Sequence, residues 1–258
     1  SVTTTVGNGV TMTLTAALAN GKIIDGTGGT VDITDGEGDK DAVLSGITTD
    51  NSSYAATDNT IITGALPADG SCTIKNNITL NADSLLNTNA AYVIIATKKL
   101  TATAARLTGH AISGNGTVDI TAGEDAKDAV LSGITTATSS YACDDTSESV
   151  VLNGSGRLPG GSDVSSHTHT ISNSITIAHA DTLAAGATYS IISGKTLTGT
   201  AAFLTGDTIT GDGAVAITAG EGDTAAVLSG ITTAASSYAC DDSLGTVVLN
   251  GSGRLPGG

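Results

Sequence analysis

Apolar and polar side chains alternate in short runs along the whole chain. Thr117-Val118-Asp119-Ile120-Thr121 and Ser174-Ile175-Thr176-Ile177 each place every second residue on an apolar face, the period of a strand with one side in a core and the other in water. The runs stop after four or five residues at glycine-containing stretches: Gly26-Thr27-Gly28-Gly29, Gly114-Asn115-Gly116 and Gly211-Asp212-Gly213. These predict sharp corners, where glycine tolerates the positive φ that other residues resist. No long stretch carries apolar residues at helical spacing, and Asp181 to Ala187 is too short to stand as a helix alone. The pattern predicts an all-β chain of many short strands.

The strands belong to a threefold repeat. Ala42-Val43-Leu44-Ser45-Gly46-Ile47-Thr48-Thr49 returns at Ala129–Thr136 and again at Ala226–Thr233. Copies two and three align without a gap at an offset of 97 residues, as Ile74 to Ile171, Tyr92 to Tyr189 and Pro159 to Pro256 show. Copy one differs: Met12 aligns to Ile177 at an offset of 165, but Leu18 to Leu204 at 186, a shortfall of 21 residues. A sandwich domain would lose one or two strands by such a deletion and open its core. A solenoid, whose coils touch only their neighbours, loses one coil and closes up. About 21 residues suits a coil of three short strands and three turns. The predicted fold is therefore a parallel β-solenoid, a right-handed β-helix of roughly a dozen coils, with repeats at 1–70, 71–161 and 162–258 in one continuous stack. Three tandem β-sandwich domains are the alternative, disfavoured by the absence of a core Trp and of any Pro-rich or charged linker.

The two chain ends read like the two halves of an internal junction. Arg157-Leu158-Pro159-Gly160-Gly161 closes copy two and Thr170-Ile171-Ser172-Asn173-Ser174-Ile175-Thr176-Ile177 opens copy three; Arg254-Leu255-Pro256-Gly257-Gly258 and Thr5-Val6-Gly7-Asn8-Gly9-Val10-Thr11-Met12 repeat the two patterns. Neither end carries a polar cap. The expectation is a head-to-tail homopolymer, with Val6, Val10, Met12 and Leu14 of one copy continuing the stack begun by Val247, Val248, Leu249 and Leu255 of another.

Composition narrows the partners. Apolar residues make up 39% of the 258, yet Trp is absent, Phe203 is the only Phe and Tyr occurs five times, so Val, Ile, Leu and Ala must fill the core. A net charge of −15 repels nucleic acid and anionic membrane surfaces and favours cations. No apolar run is long enough to span a bilayer as a helix. The first residue, Ser1, suits a processed extracellular or cell-surface protein. Cys72, Cys143 and Cys240 do not form a disulfide framework; Ala56 stands where Cys143 and Cys240 fall, so buried free thiols are expected.

Candidate chemistry is sparse. An acidic loop follows the Val-x-Ile-Thr strand in each copy, with Asp35, Glu37, Asp39 and Asp41, then Glu124, Asp125 and Asp128, then Glu221 and Asp223. Oxygen ligands spaced by glycine suit Ca²⁺, although the spacing is not that of an EF-hand; a solvated acidic corner is the simpler reading. No other cofactor is expected. His167 and His169 share one face of a strand, a spacing able to grip Zn²⁺ or Cu²⁺, which His179 joins only if the next coil lies directly above; solvent exposure is expected for the pair. No nucleophile elbow or zinc-protease motif occurs, and 2% aromatic residues leave no platforms for a sugar-cleaving groove, so no enzyme is expected. Thr-x-Thr pairs such as Thr11–Thr13 and Thr208–Thr210 do not recur at one fixed spacing, which argues for strand preference over an ice-binding ladder.

The run from Thr196 to Gly213, Thr-Leu-Thr-Gly-x-x-Ala-x-Leu-Thr-Gly-x-x-Ile-x-Gly-x-Gly, with Val215-Ala216-Ile217-Thr218 and the Leu-Ser-Gly-Ile block after it, resembles the Thr/Gly/Ala-rich β-strand repeats of large secreted bacterial surface proteins and adhesins. The resemblance covers most of the chain and is compositional as much as motif-based. It implies extended fibres, surface layers or stalks, often steadied by calcium, and carries over no catalytic residues. A structural filament subunit is the expectation; a segment of an adhesin that binds a glycan or a host protein is the alternative.

Overall fold

The computed structural model describes residues 2–34, 41–55, 60–81, 86–121, 128–142, 149–152, 156–160, 167–218 and 226–239. The chain is all-β, with parallel sheets stacked as a β-solenoid of about ten turns, against the dozen expected. Tandem sandwiches are not formed. Two compact units divide it: Ser1–Asp119 with Gly133–Ala137, and Ile120–Ser132 with Thr138–Gly258.

In unit 1, strands β1 (Thr3–Thr5) and β2 (Thr11–Thr15) both pair with β3 (Ile23–Thr34). From there β4 (Ile47–Tyr54), β6 (Gly70–Ile74), β8 (Ala90–Ile94) and β10 (Ala111–Ser113) continue one sheet, while β5 (Thr60–Ile62), β7 (Ile78–Leu80) and β9 (Lys99–Thr103) form another. These strands pair in parallel, and the registers measure the coil: Thr3 lies beside Ile23, Ser71 beside Ala91 and Ala91 beside Ala111, each twenty residues on. This is close to the 21 residues expected for a coil. Alternation converts this register into columns of core side chains. Leu14, Ile33, Tyr54, Ile74 and Ile94 lie one above another, and all but Leu14 are buried. Fully burying each such side chain stabilises the stack by about 1.5–3 kcal/mol, so each added coil brings its own increment of core.

Strand β11 (Thr117–Thr121) spans the division between the units and buries Val118 and Ile120. Unit 2 contains β12 (Thr138–Tyr141), β14 (Thr168–Ile171), β16 (Thr188–Ile191) and β18 (Thr208–Thr210) in one sheet. A second sheet is built from β13 (Ser149–Leu152), β15 (Ser174–Ile177), β17 (Thr196–Thr200), β19 (Ala214–Thr218) and β20 (Ala235–Tyr238). Tyr141, Ile171 and Ile191 make one buried column, and Ile175, Leu197 and Val215 another.

Two single-turn helices escaped the sequence reading: α1 (Ala16–Ala19) after β2 and α2 (Ala104–Leu107) after β9. Both follow a threonine in extended conformation, and the Thr15 hydroxyl accepts the Leu18 N–H at 3.3 Å. Four residues are too few for a periodic signal; alanine's helix preference and the threonine cap were the only traces.

Strand β1 lies on the first half of β3 as β8 lies on β10, and Met12 lies on Val31 as Leu197 lies on Val215, so β1 is the counterpart of β8 and Met12 corresponds to Leu197 rather than to Ile177 as expected. Val6 accordingly occupies the place of Ile94 and Ile191 against a corner glycine. A Cβ on Gly26, Gly114 or Gly211 would meet the backbone oxygen of Val6, Ile94 or Ile191 at 2.0, 2.3 and 2.4 Å, and all three have positive φ. These corners require glycine both for conformation and for the approach of the preceding coil. Replacing Gly114 with alanine should cost about 3 kcal/mol, whereas Gly109→Ala, at φ +74° with nothing within 4 Å, should cost only about 1 kcal/mol. Equal losses in chemical denaturation would show that the close approach of the coils carries no weight.

Candidate assembly edges and the junction core

At each internal junction the strand carrying Ser-Ser-Tyr at the end of one copy is covered by the opening strand of the next. In unit 1, β4 pairs with β6 in the register Asn51–Ser71, Ser52–Cys72, Ser53–Thr73 and Tyr54–Ile74. In unit 2, β12 pairs with β14 as Thr138–Thr168, Ser139–His169, Ser140–Thr170 and Tyr141–Ile171. The Lys75 N–H then reaches the Tyr54 carbonyl at 2.9 Å, and the Ser172 N–H reaches the Tyr141 carbonyl at 2.9 Å.

A polar column runs through the core at both places. In unit 1 it reads Ser52, Cys72, Tyr92; in unit 2, Ser139, His169, Tyr189. Cys72 is a buried free thiol, as expected, and burial pushes its pKa up to about 12 with the Ser52 hydroxyl opposing in part. Cys143 and Cys240 lie outside the described residues. The tyrosine hydroxyls tie the coil to its predecessor. Tyr92 donates to the Pro67 carbonyl and accepts the Asn87 N–H, both at 3.0 Å; Tyr189 donates to Pro159 at 2.7 Å and accepts the Ala184 N–H at 2.8 Å. A hydroxyl satisfied twice in the core is far less costly than a lone one, and each clamp fixes a Leu-Pro turn against the next coil.

The histidines stand differently from the expected exposed pair. His169 is 1% exposed, and its Nδ1 is hydrogen-bonded to the Ser139 hydroxyl, while His167 is half-buried. The residue registered on His169 in the next coil is Tyr189, with ring centroids 5.9 Å apart, so His179 does not join them. Instead the His179 Nδ1 accepts the Asp181 N–H in a turn. Alternation places His169 inward because Ile171 is inward, a signal that was present in the sequence. His110, buried beside Tyr92 at an edge-to-face 6.5 Å, was missed; it lies just before its strand, where alternation gives no reading. Its equivalent in copy three is Asp207, whose pKa burial pushes up to about 6.

Of the acidic loop, only Asp41 and Asp128 are described; both are exposed, and Asp41 accepts the Thr63 hydroxyl. Asp35, Glu37, Asp39, Glu124, Asp125, Glu221 and Asp223 lie outside the described residues. Among the described residues no three His, Cys, Asp or Glu side chains gather as a metal site. No helix there is long and apolar enough to cross a membrane.

The sheet edges are the remaining feature. Strand β1 pairs only with β3, and β20 only with β19, among the described residues. Their burial breaks the pattern of their equivalents. Thr4 is exposed where Tyr92 and Tyr189 are buried; Ser236 is exposed where Ser52 and Ser139 are buried; Tyr238 is half-buried where Tyr54 and Tyr141 are 1% exposed. Of the expected contact residues, Val10 is 53% exposed, Met12 and Leu14 are half-buried, and Val6 is already covered within its own unit. Val247, Val248, Leu249 and Leu255 lie outside the described residues. The chain matches no protein-family model, no curated protein and no solved structure.

The junction core predicts a pH dependence. Burial first, and then the charge of His167, push the His169 pKa down to about 4, with a backbone hydrogen bond to Gly160 acting the other way. The unfolded chain therefore takes up a proton near pH 6.5 that the folded one refuses. Stability is full above that pH and is lost as pH falls toward 4, by roughly 3 kcal/mol at about 1.4 kcal/mol per unit. Asp207 has the opposite sign, because its raised pKa makes the folded state bind a proton first, which offsets part of the loss below about pH 6. Melting temperature should fall more steeply between pH 6.5 and 4 in Asp207→Asn, and less steeply in His169→Cys, which copies the residue of copy two. Parallel curves for the three proteins would remove His169 as the acid-sensitive group.

Proposed function

We propose that the protein is a structural subunit that associates head to tail into an extracellular filament or surface layer. One observation carries the reading: among the described residues, β1 in unit 1 and β20 in unit 2 each pair on one side only, whereas their counterparts, β8 and β16 for β1, and β4 and β12 for β20, pair on both. An open strand edge leaves backbone donors and acceptors without partners and exposes a slice of core, which favours addition of another strand. Val2, 88% exposed, and Val10 add apolar surface beside β1. Because the two edges differ, their union is heterologous and generates open fibres rather than closed dimers. The net charge of −15 supports the same reading from the side, since repulsion between neighbouring subunits disfavours lateral clumping while leaving backbone pairing at the edges intact. The role proposed is mechanical, and no catalysis is assigned.

Deleting residues 1–12 removes β1 and the start of β2. The truncated chain should keep its melting cooperativity and its strand signature in circular dichroism, because a solenoid coil depends only on its neighbours. Negative-stain microscopy should show filaments for the full chain and none for the truncated one. Filaments of undiminished length after truncation would sink the proposal.

A further inference from the structure

The sheet of β12, β14, β16 and β18 in unit 2 has an outer face that strand formation does not explain. Its registers set Thr138, Thr168, Thr188 and Thr208 in one column and Ser140, Thr170, Ser190 and Thr210 in a second, two residues further along each strand. All of these outward positions are hydroxyls, each exposed or half-buried, and none is charged in a chain of net charge −15. The pairs fall 30, 20 and 20 residues apart along the chain but one strand spacing apart in the sheet. The sequence therefore shows no fixed interval where the structure has one. Unit 1 supplies an internal control. Its β4, β6, β8 and β10 pair in the same register, with Asn51, Ser71, Ala91 and Ala111 in one column and Ser53, Thr73, Val93 and Ser113 in the other. Alanine and valine build this sheet there, so strand preference alone does not account for the hydroxyl columns of unit 2.

We propose that this face of unit 2 binds the surface of ice. Neighbouring strands set successive hydroxyls of a column about 4.8 Å apart. Hydrogen bonds of about 2.75 Å in a tetrahedral network set two waters that share a neighbour about 4.5 Å apart, so the misfit is about 0.3 Å per step. Threonine on a strand is restricted at χ1, which holds hydroxyl and methyl at the same place on each rung. Among the described residues, the hydroxyls of Thr168, Thr170, Thr188, Ser190 and Thr208 bond to no protein group, and the Thr210 hydroxyl reaches the Tyr189 carbonyl at 3.5 Å. They bond water instead, and a row of waters held at this repeat matches a lattice that has nearly the same one. A charged side chain would keep its own hydration shell against that lattice, and the columns contain none. A polysaccharide surface would call for aromatic platforms, which the columns also lack.

Partition of the full chain into slowly grown ice tests the proposal, with arrest of ice recrystallisation as a second readout. The triple variant Thr188→Ala, Ser190→Val, Thr208→Ala copies Ala91, Val93 and Ala111, which the corresponding sheet of unit 1 already accommodates. Its melting curve should match that of the unaltered chain. Ser71→Ala with Thr73→Ala removes hydroxyls from unit 1 and serves as the control. The unaltered chain and the control should enter the ice at micromolar concentration, and the triple variant should need about tenfold more protein for the same arrest of grain growth. A chain that stays in the liquid while the grains grow overturns ice binding. A triple variant as active as the unaltered chain overturns the assignment to this face. Capture on microcrystalline cellulose or chitin without entry into ice overturns the proposal in favour of a polysaccharide partner. None of these readouts requires filaments, so the head-to-tail reading stands or falls separately.

Discussion

Everything in this molecule follows from one property of a parallel coil: each of its edges presents backbone N–H and C=O groups that only another coil can satisfy. Within each unit that demand is met every twenty or so residues, and the side chains follow. Inward positions stack in columns of isoleucine, leucine and tyrosine because the register repeats, and corner positions become glycine because successive backbones approach to within contact of a missing Cβ. The same demand keeps the stacking constant between copies, as β1 lies on β3 in the way that β8 lies on β10. Among the described residues, β1 and β20 each meet it on one side only.

An apolar column by itself defines register poorly, since one isoleucine stacks on another as well as on the next. The junctions are where hydrogen-bonding side chains enter the core. Ser139 with His169, and the tyrosine hydroxyls held on Pro67 and Pro159, are groups whose partners must stand at one place. Burial makes the choice costly enough to matter: the His169 imidazole is held neutral far below its ordinary pKa, and the Cys72 thiol is held protonated far above its own. Copies two and three solve the same position with different chemistry, thiol and imidazole. Neither residue type is required there; a compact polar group facing a serine is.

The sequence repeat and the spatial repeat are different objects. Residues 97 apart are equivalent in sequence, but the neighbours that touch are about twenty apart, and thirty apart where β12 meets β14, as Thr138 and Thr168 show. Strands of different sequence type therefore share one sheet: β4 closes copy one and β6 opens copy two in the same ladder. Comparing the copies showed which segments correspond. It could not show that an opening strand is laid on a Ser-Ser-Tyr strand, as β6 lies on β4 and β14 on β12.

The sequence by itself determined the class of fold and the inward faces, because alternation, corner glycines and the internal repeat are local or self-comparative signals. It misaligned the start of copy one, setting Met12 against Ile177 where the stacking on Val31 sets it against Leu197. It misplaced His169, expected in solvent, although the alternation through Ile171 already pointed that side chain inward; it passed over His110 and the helical turns at Ala16 and Ala104, which are too short or too close to a corner for any period to show. Only the tertiary structure decided which strands lie against each other, that Tyr189 rather than His179 covers His169, and that β1 and β20 pair on one side only among the described residues. Those are facts of long-range pairing, set by how many residues each turn consumes, and no local pattern of residues carries that count.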